Sequence, residues 1–321
     1  MNKNNILYTT DQNYFPHMLT SIYSLIENNL ENTFKIHIIH TGLKTKEDKL
    51  LNQILTRYPN VDIQTYDFMK IAYLIEKFNI PKWRDGNISN ARLFYHEMIP
   101  HVEKILYLDC DTIIVNPINE LFQMNNDHAV SAVKEIVTPK HLKGKVNKYY
   151  NSGVLLFNSE KWESDDCLAE MYDNIKNLHE KLIYPDQDLI NLTLKEKIGT
   201  LPINYNILPL IALTRKYPHL SKKFYEKKDF FYEYKEAMLA LKNPKIYHHI
   251  SYLSTRVWEE NKIHPFNDEY KFYRKKWDNS FIKKKNSFFL ANLPIASVLS
   301  LAVKSYLSDE THDKIRKIIK K

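Results

Sequence analysis

Residues 104–115 read KILYLDCDTIIV. A short apolar run, Lys104–Leu108, ends in Asp109-Cys110-Asp111, and Thr112–Val115 follows at once. Such a run without polar alternation marks a strand buried on both faces of a sheet. Two carboxylates directly after it stand where open α/β sheets bind their ligands, beyond the carboxyl ends of the strands. In extended chain, residues i and i+2 point the same way, so the spacing predicts that Asp109 and Asp111 converge while Cys110 faces the core. Paired carboxylate oxygens form a hard site for Mg²⁺ or Mn²⁺, and such an ion neutralises the diphosphate of a nucleotide substrate.

Short apolar strands alternate with helical patterns on the N-terminal side of this stretch. Strands are expected over Asn5–Tyr8, Phe34–His40 and Val61–Tyr66. Between them, Phe15–Asn28 places Leu19, Ile22, Tyr23 and Ile26 at helical spacing, and Thr45–Arg57 opens with charged residues. Ser89–Ile99 is expected as a helix with Ser89 as N-cap and Pro100 just past its end. Later strands are expected over Ala129–Val133, Val154–Asn158 and Lys245–His249. This order argues for an α/β fold with a mostly parallel sheet covered on both faces. The economical division is one domain over residues 1–280 and a tail over 281–321.

Composition removes several alternatives. Apolar content of 44%, with 13% aromatic residues, excludes disorder as the main state. Two cysteines, Cys110 and Cys167, build neither a disulfide framework nor a cysteine-rich zinc site. The five glycines (Gly42, Gly86, Gly144, Gly153 and Gly199) lie too far apart for a dinucleotide or P-loop fingerprint. A formal charge of +8 invites a nucleic-acid reading, but residues 281–321 hold nine Lys/Arg against three acids, leaving 37 against 35 in residues 1–280. The basicity belongs to the tail, and no nucleic-acid partner is expected. There Phe288–Val303 is mostly apolar, preceded by Lys283, Lys284 and Lys285 and followed by Arg316, Lys317, Lys320 and Lys321. The run is shorter than the roughly 20 residues of a membrane span and is interrupted by Pro294. A basic segment of this kind is expected at an anionic membrane surface, the alternative being a helix packed on the domain. The start, MNKNNILYTTD, has no apolar stretch of signal-peptide length, so the expected location is cytoplasmic, peripheral to the inner face of the membrane.

An apolar strand ending in D-x-D-T (Asp109–Thr112) also resembles the nucleophile loop of haloacid-dehalogenase-type phosphatases, with Asp109 attacking phosphorus. That family places the loop on the first strand of its core, whereas three expected strands precede it here. Its acidic, glycine-containing motif near the last strands has no counterpart in this chain.

Six blocks in order carry a larger resemblance: LYTTDQNY (7–14), SNARLFYHEMIP (89–100), KILYLDCDTIIV, YYNSGVLLFN (149–158), YPDQDLIN (184–191), and KIYHHI (245–250) with Arg256-Val257-Trp258. Over residues 6 to about 277 the chain resembles family-8 glycosyltransferases. These are retaining nucleotide-sugar enzymes of the GT-A fold, and the resemblance is especially to the bacterial lipopolysaccharide galactosyl- and glucosyltransferase branch. The resemblance implies that Thr9, Thr10, Asp11, Asn13 and Tyr14 hold the nucleoside, with Asp11 accepting from the uracil N3–H and Tyr14 equally explained as a packing residue. Arg92 is implied to pair with phosphate or sugar, a task suited to its fixed fork. Asp109 and Asp111 match the metal pair, with Cys110 in the nucleotide-sugar set, and the third ligand is placed at His248. His249 takes that role if the register differs by one, because neighbours on a strand face opposite ways. Imidazole with two carboxylates fits Mn²⁺ better than Mg²⁺. Asn151 and Gly153 match the sugar-lining block, Asp186 stands beside the sugar, and Gln187 lies below the anomeric carbon. Asp188 and Asn191 are expected to cap or support their helix. The chain departs from the family at Ser251, where a glycine is usual, and at Arg256, where the family has lysine. Ser lacks glycine's conformational freedom, while Arg256 serves the diphosphate as the lysine would.

The implied donor is UDP-galactose or UDP-glucose and the implied acceptor a glycan or glycolipid. Retention by double displacement needs a carboxylate beneath the anomeric carbon. Gln187, an amide, favours front-face displacement with its carbonyl oxygen stabilising the developing positive charge, whereas Asp186 in that place permits a covalent intermediate. A UDP-sugar-binding protein with little turnover is the third expectation, raised by the altered loop after His248.

Overall fold

The computed structural model describes residues 3–83, 86–99, 102–125, 127–178, 182–216, 225, 230–250, 256–259 and 264–281. The first three apolar runs form parallel strands β1 (Asn4–Thr10), β2 (Phe34–His40) and β3 (Val61–Asp67). Parallel neighbours require crossovers, which α1 (Phe15–Glu27) and α2 (Thr45–Arg57) supply. β4 (Lys104–Leu108) joins β1 on its other side, also in parallel. The sheet order is β3-β2-β1-β4-β7-β6-β8, with β6 at Val130–Lys134, β7 at Tyr150–Asn158 and β8 at Ile198–Thr200. β7 pairs antiparallel with both β4 and β6, and the other pairings are parallel. The chain leaves β1 toward β2 on one side and returns as β4 on the other. Their carboxyl ends therefore flank a topological switch point, the place where such sheets bind ligands.

Alternation divides the strands between two cores. Ile6, Tyr8, Ile36, Ile38, Leu106, Leu108, Val154 and Leu156 face α1, while Leu7, Ile39, Ile105, Tyr107, Leu155 and Phe157 face the other layer. That second layer includes α3 (Cys167–Asn177) and α4 (Pro185–Thr193). A separate antiparallel ribbon joins β5 (Thr112–Ile114) to β9 (Ile246–His248), opposing Thr112 to His248. The last described helix, Asn267–Arg274, packs on α1: Asn28 Nδ2 donates to the Tyr273 hydroxyl (2.6 Å), and Lys276 pairs with Glu27 (3.3 Å).

Three expectations change. Ser89–Ile99 is a 3₁₀ segment, Ile88–Glu97, with a kink at Phe94, and the position before it is Asn87, so Ser89 is not the cap. The strand expected to start at Val154 starts at Tyr150 and contains Asn151 and Gly153. Asp109–Asp111 form a turn rather than extended chain. Apart from Phe281, the tail expected to meet a membrane lies outside the described residues. Among the described residues, no helix is long and apolar enough to cross a membrane.

Candidate active site

The turn after β4 is closed on the Asp109 carbonyl, which accepts from Thr112 N (3.1 Å) and Thr112 Oγ1 (2.8 Å). Because the backbone reverses there, the two carboxylates converge by turn geometry rather than by strand alternation. Cys110 does face the core, its Sγ 3.2 Å from the Thr9 carbonyl, and burial pushes its thiol well up. Its side chain therefore packs beneath β1.

The β5–β9 ribbon lays His248 against that turn. His248 Nε2 lies 3.4 Å from Asp109 Oδ2 and 3.3 Å from Asp111 Oδ1. It has no hydrogen-bond partner among the described residues although the ring is buried. The three ligand atoms lie within 4.8 Å of one another. Ligands set at right angles about 2.2 Å from one divalent ion stand about 3 Å apart, so the spacing and the O,O,N donor set both fit such an ion. Burial opposes ionisation of Asp109, but Arg92 and His248 outweigh it and hold the carboxyl below its usual range. Asp111 is held lower still, burial again being overcome, here by His248 and Arg256. In the same metal-free balance burial opposes the imidazolium of His248, yet the two carboxylates raise it to about 9.

His249 points the other way. Its ring nitrogens face the carbonyls of Asp111 (3.1 Å) and Phe266 (3.2 Å), and burial pushes it down to about 4. The register thus gives the triad to His248. Gly153 makes room for it: a Cβ there would lie 2.1 Å from His248 Cε1 and 2.8 Å from Asp109 Oδ2. The close approach this glycine permits is that of the triad.

Arg92 lies beneath the site rather than beside open space. Its Nε donates to the Ser89 carbonyl (2.7 Å) and Nη1 to the Ser152 carbonyl (2.7 Å), while Nη2 pairs with Asp109 Oδ1 (3.0 Å). The guanidinium stacks on Tyr107 at 4.2 Å. Asp186 Oδ2 is 3.4 Å from Nη1 and has no hydrogen bond among the described residues; burial raises this carboxyl against the Arg92 charge. The fork is committed to protein groups and joins two carboxylates.

Beside the charged triad lies a network of amides, joined to it where Asn206 Oδ1 faces His248 Nδ1 at 3.0 Å. Gln187 Oε1 accepts from Ser152 N (2.9 Å), so its carbonyl is already partly engaged. Asn151 Oδ1 accepts from Gly153 N (2.9 Å) and Asn206 Nδ2 (2.8 Å), and Asn151 Nδ2 donates to Glu135 Oε1 (2.7 Å). Glu135 is buried and raised by that burial. Asn191 grips the Tyr150 backbone from both amide atoms (2.7 and 2.8 Å). Asp188 accepts from Ile183 N, Tyr184 N, His141 Nε2 and the Tyr149 hydroxyl. Asp188 braces the entry to the helix, and Asn191 ties the helix to β7. Glu135 and Asn206 were not legible in the sequence; only the position of Glu135 just past a buried strand hinted at it.

On the β1 side, Thr9 Oγ1 meets the Tyr107 hydroxyl (3.2 Å), and Thr10 Oγ1 donates to the Asp11 carbonyl (3.0 Å). Asp11 Oδ1 accepts from Tyr14 N (2.8 Å), which fixes the entry to α1. Asn13 is exposed. Arg256 Nη1 donates to Asp111 Oδ2 (3.1 Å), its guanidinium 5.4 Å from the Trp258 ring, and Trp258 stacks on His17 at 3.7 Å. Ser251 lies outside the described residues. Asp109 has Oδ1 bonded to Tyr107 and Arg92 and Oδ2 facing His248, an arrangement suited to a ligand rather than to the free nucleophile of a phosphatase.

Comparison with known proteins points the same way. The family model "Glycosyl transferase family 8" matches residues 5–250. The chain is 28% identical over 219 residues to a lipopolysaccharide 1,2-glucosyltransferase of Escherichia coli, a match covering 64% of this chain and 62% of that one. It therefore spans less than two thirds of that relative's length. The general stress protein A of Bacillus subtilis (strain 168) is 26% identical over 287 residues, 85% of this chain and 94% of the other. Among solved structures, the galactosyltransferase LgtC in complex with donor and acceptor sugar analogs is similar with a TM-score of 0.66 at 17% identity, covering 85% of this chain and 96% of that chain. That likeness is one of fold, the GT-A architecture with its mostly parallel sheet.

Proposed function

Because the chain belongs to glycosyl transferase family 8, we propose that it is a retaining transferase moving a hexose, galactose or glucose, from a UDP-sugar to a glycan or glycolipid acceptor in surface-glycan synthesis. The observation that carries the reading is the convergence of Asp109, Asp111 and His248 Nε2 at the switch point of the sheet, beside a network of neutral amides. Asp109, Asp111 and His248 would hold a divalent ion, Mn²⁺ by the presence of imidazole. When bound, that ion supplies charge stabilisation for the departing diphosphate. Arg256, beside Asp111, adds a fixed positive charge on the same side. Thr9, Thr10 and Asp11 then serve the nucleoside mainly through the backbone their side chains brace.

Asn151 and Gln187 are held in single orientations by Gly153 N and Ser152 N, which suits them to hydroxyl recognition. Asp186, raised by burial and lacking a hydrogen bond at Oδ2, accepts or donates to a sugar hydroxyl. Arg92 binds no substrate in this scheme and sets the distance between Asp109 and Asp186. An amide at Gln187 favours front-face displacement, with the acceptor hydroxyl entering on the side the diphosphate leaves. The lysine-rich stretch over residues 281–321 supports contact with an anionic membrane, where a lipid-linked acceptor lies. Removing those residues should release the protein from anionic vesicles without stopping UDP-sugar hydrolysis.

The test is UDP release from a panel of UDP-sugars, without acceptor, in Mn²⁺ and in EDTA. Slow, Mn²⁺-dependent hydrolysis of one sugar is expected and names the donor. Tight binding of UDP with no turnover under any acceptor would instead identify a binding protein.

A further inference from the structure

The hydrogen bonds around Asn206 form a chain whose direction one backbone amide decides. Asn206 is wholly buried, and its neighbours in the chain, His248, Asn151 and Glu135, are 2%, 6% and 9% exposed. A backbone N–H can only donate, so the Asn151 atom facing Gly153 N at 2.9 Å is its oxygen. That same oxygen lies 2.8 Å from the Asn206 amide, which must therefore present its NH₂ group there. The Asn206 oxygen then faces His248 Nδ1 at 3.0 Å, and Nδ1 must carry the hydrogen. With Nδ1 so committed, Nε2, which lies between Asp109 and Asp111, is the ring atom that can give up its proton and offer a lone pair to an ion. At the far end, Asn151 Nδ2 donates to Glu135 Oε1 at 2.7 Å, which agrees with the same orientation. The backbone locks the arrangement: Ile207 N donates to the Ile246 carbonyl (2.9 Å) and His248 N to the Ile207 carbonyl (3.0 Å), so Asn206 cannot slide along β9.

Resting on the metal reading above, we infer that Asn206 is a positioning residue that sets the His248 tautomer and joins the metal triad to the sugar-lining Asn151. It touches neither ion nor substrate. Its oxygen serves the metal side and its NH₂ the sugar side, so the two services separate by substitution. Asn206→Ala removes both. Asn206→Asp keeps an acceptor for His248 Nδ1–H but sets an oxygen against Asn151 Oδ1.

The experiment titrates Mn²⁺ alone into the full chain by paramagnetic resonance and measures UDP-sugar turnover at saturating Mn²⁺, with melting curves to follow folding. Loss of an outer hydrogen bond to a metal histidine weakens metal affinity or activity about 10- to 100-fold. Asn206→Ala is therefore expected to weaken Mn²⁺ binding by that factor. Asn206→Asp should bind Mn²⁺ within a few-fold of wild type while turnover falls about tenfold. Asn204→Ala, two residues away and bonded instead to the Asn243 carbonyl, should change neither. Unchanged Mn²⁺ affinity in Asn206→Ala would overturn the role of Asn206 alone, as would equal loss of affinity in Asn206→Asp and Asn206→Ala. If Asn206→Ala does not fold, the split within Asn206→Asp decides. A wild-type chain that binds no Mn²⁺ would overturn the metal reading and this inference with it.

Discussion

The two walls of the site are built from different chemistry. One holds Asp109, Asp111, His248 and Arg256, four ionisable groups linked by contacts of 3.1–3.4 Å. The other holds Asn151, Gln187, Asn206 and the Ser152 backbone, neutral groups in mutual hydrogen bonds of 2.8–2.9 Å. Densely packed charge is costly unless something of matching charge completes it, whereas a satisfied amide network is rigid and electrically quiet. The first wall therefore suits a cation and a diphosphate, the second a neutral sugar with many hydroxyls. Arg92 sits under the seam and ties Asp109 on one side to Asp186 and Ser152 on the other.

Breaking the charged wall should have the largest effect. Asp109→Ala or Asp111→Ala removes a ligand of the proposed ion, and metal contributions of several kcal/mol translate to a loss on the order of 10³ in kcat/KM. Circular dichroism should show the fold retained, because neither side chain belongs to the hydrophobic core. Wild-type rates in either variant would remove the site from this end of the sheet. Gly153→Ala tests the seam. The new methyl would lie 2.1 Å from His248 Cε1, and overpacking of this kind costs about 1–3 kcal/mol. Melting should drop by roughly 2–10 °C, and Mn²⁺ affinity should fall with it. Had the glycine served only sugar approach, Mn²⁺ affinity would stay at the wild-type value.

How much of each wall could be read in advance follows from the range of its contacts. The charged wall begins with two acids beside a buried apolar strand, a local pattern, and β1 to β4 were legible for the same reason. The resemblance placed the ligand at His248 but left His249 open, because the phase of a three-residue strand is set by its partner β5, more than a hundred residues away. Gly153 was seen, but the atoms it admits belong to residues remote in the chain. Glu135 and Asn206 had no local pattern: Glu135 directly follows Lys134 and Asn206 stands two residues after Asn204, with nothing nearby to single out either, and Asn206 meets its partners across 42 and 55 residues. Arg92 was noted for its charge, yet its burial depends on a 3₁₀ segment that helical periodicity does not foresee.

A smaller effect belongs to the amide wall. Gln187→Ala removes the carbonyl that accepts from Ser152 N and leaves the charged wall intact. Turnover should fall about tenfold while the KM for the UDP-sugar and the Mn²⁺ affinity change little, as for an interaction made mainly in the transition state. A risen KM with unchanged turnover would make Gln187 a ground-state contact instead.

The smallest effect separates the charged wall from the core one residue further along. In the metal-free protein His248 is held up at about 9, above the ordinary value near 6.5, so its contribution to stability is full below pH 6.5 and is lost as pH rises through 9. His249 is pushed down to about 4, as is buried His37, so their contribution is present above pH 6.5 and is lost as pH falls toward 4. The carboxylates of the triad, held low, are ionised throughout this window. Melting temperature in EDTA should therefore peak near pH 6.5 and fall by a few degrees on either side. Mn²⁺ takes the place of the proton on His248, so only the alkaline side should recover, and the stabilisation by Mn²⁺ should be larger at pH 8.5 than at pH 6.5. Melting curves at pH 5, 6.5 and 8.5, each with EDTA and with Mn²⁺, decide the matter. An equal Mn²⁺ shift at pH 6.5 and 8.5 would mean that His248 gives up no proton to the metal, and would move the third ligand elsewhere.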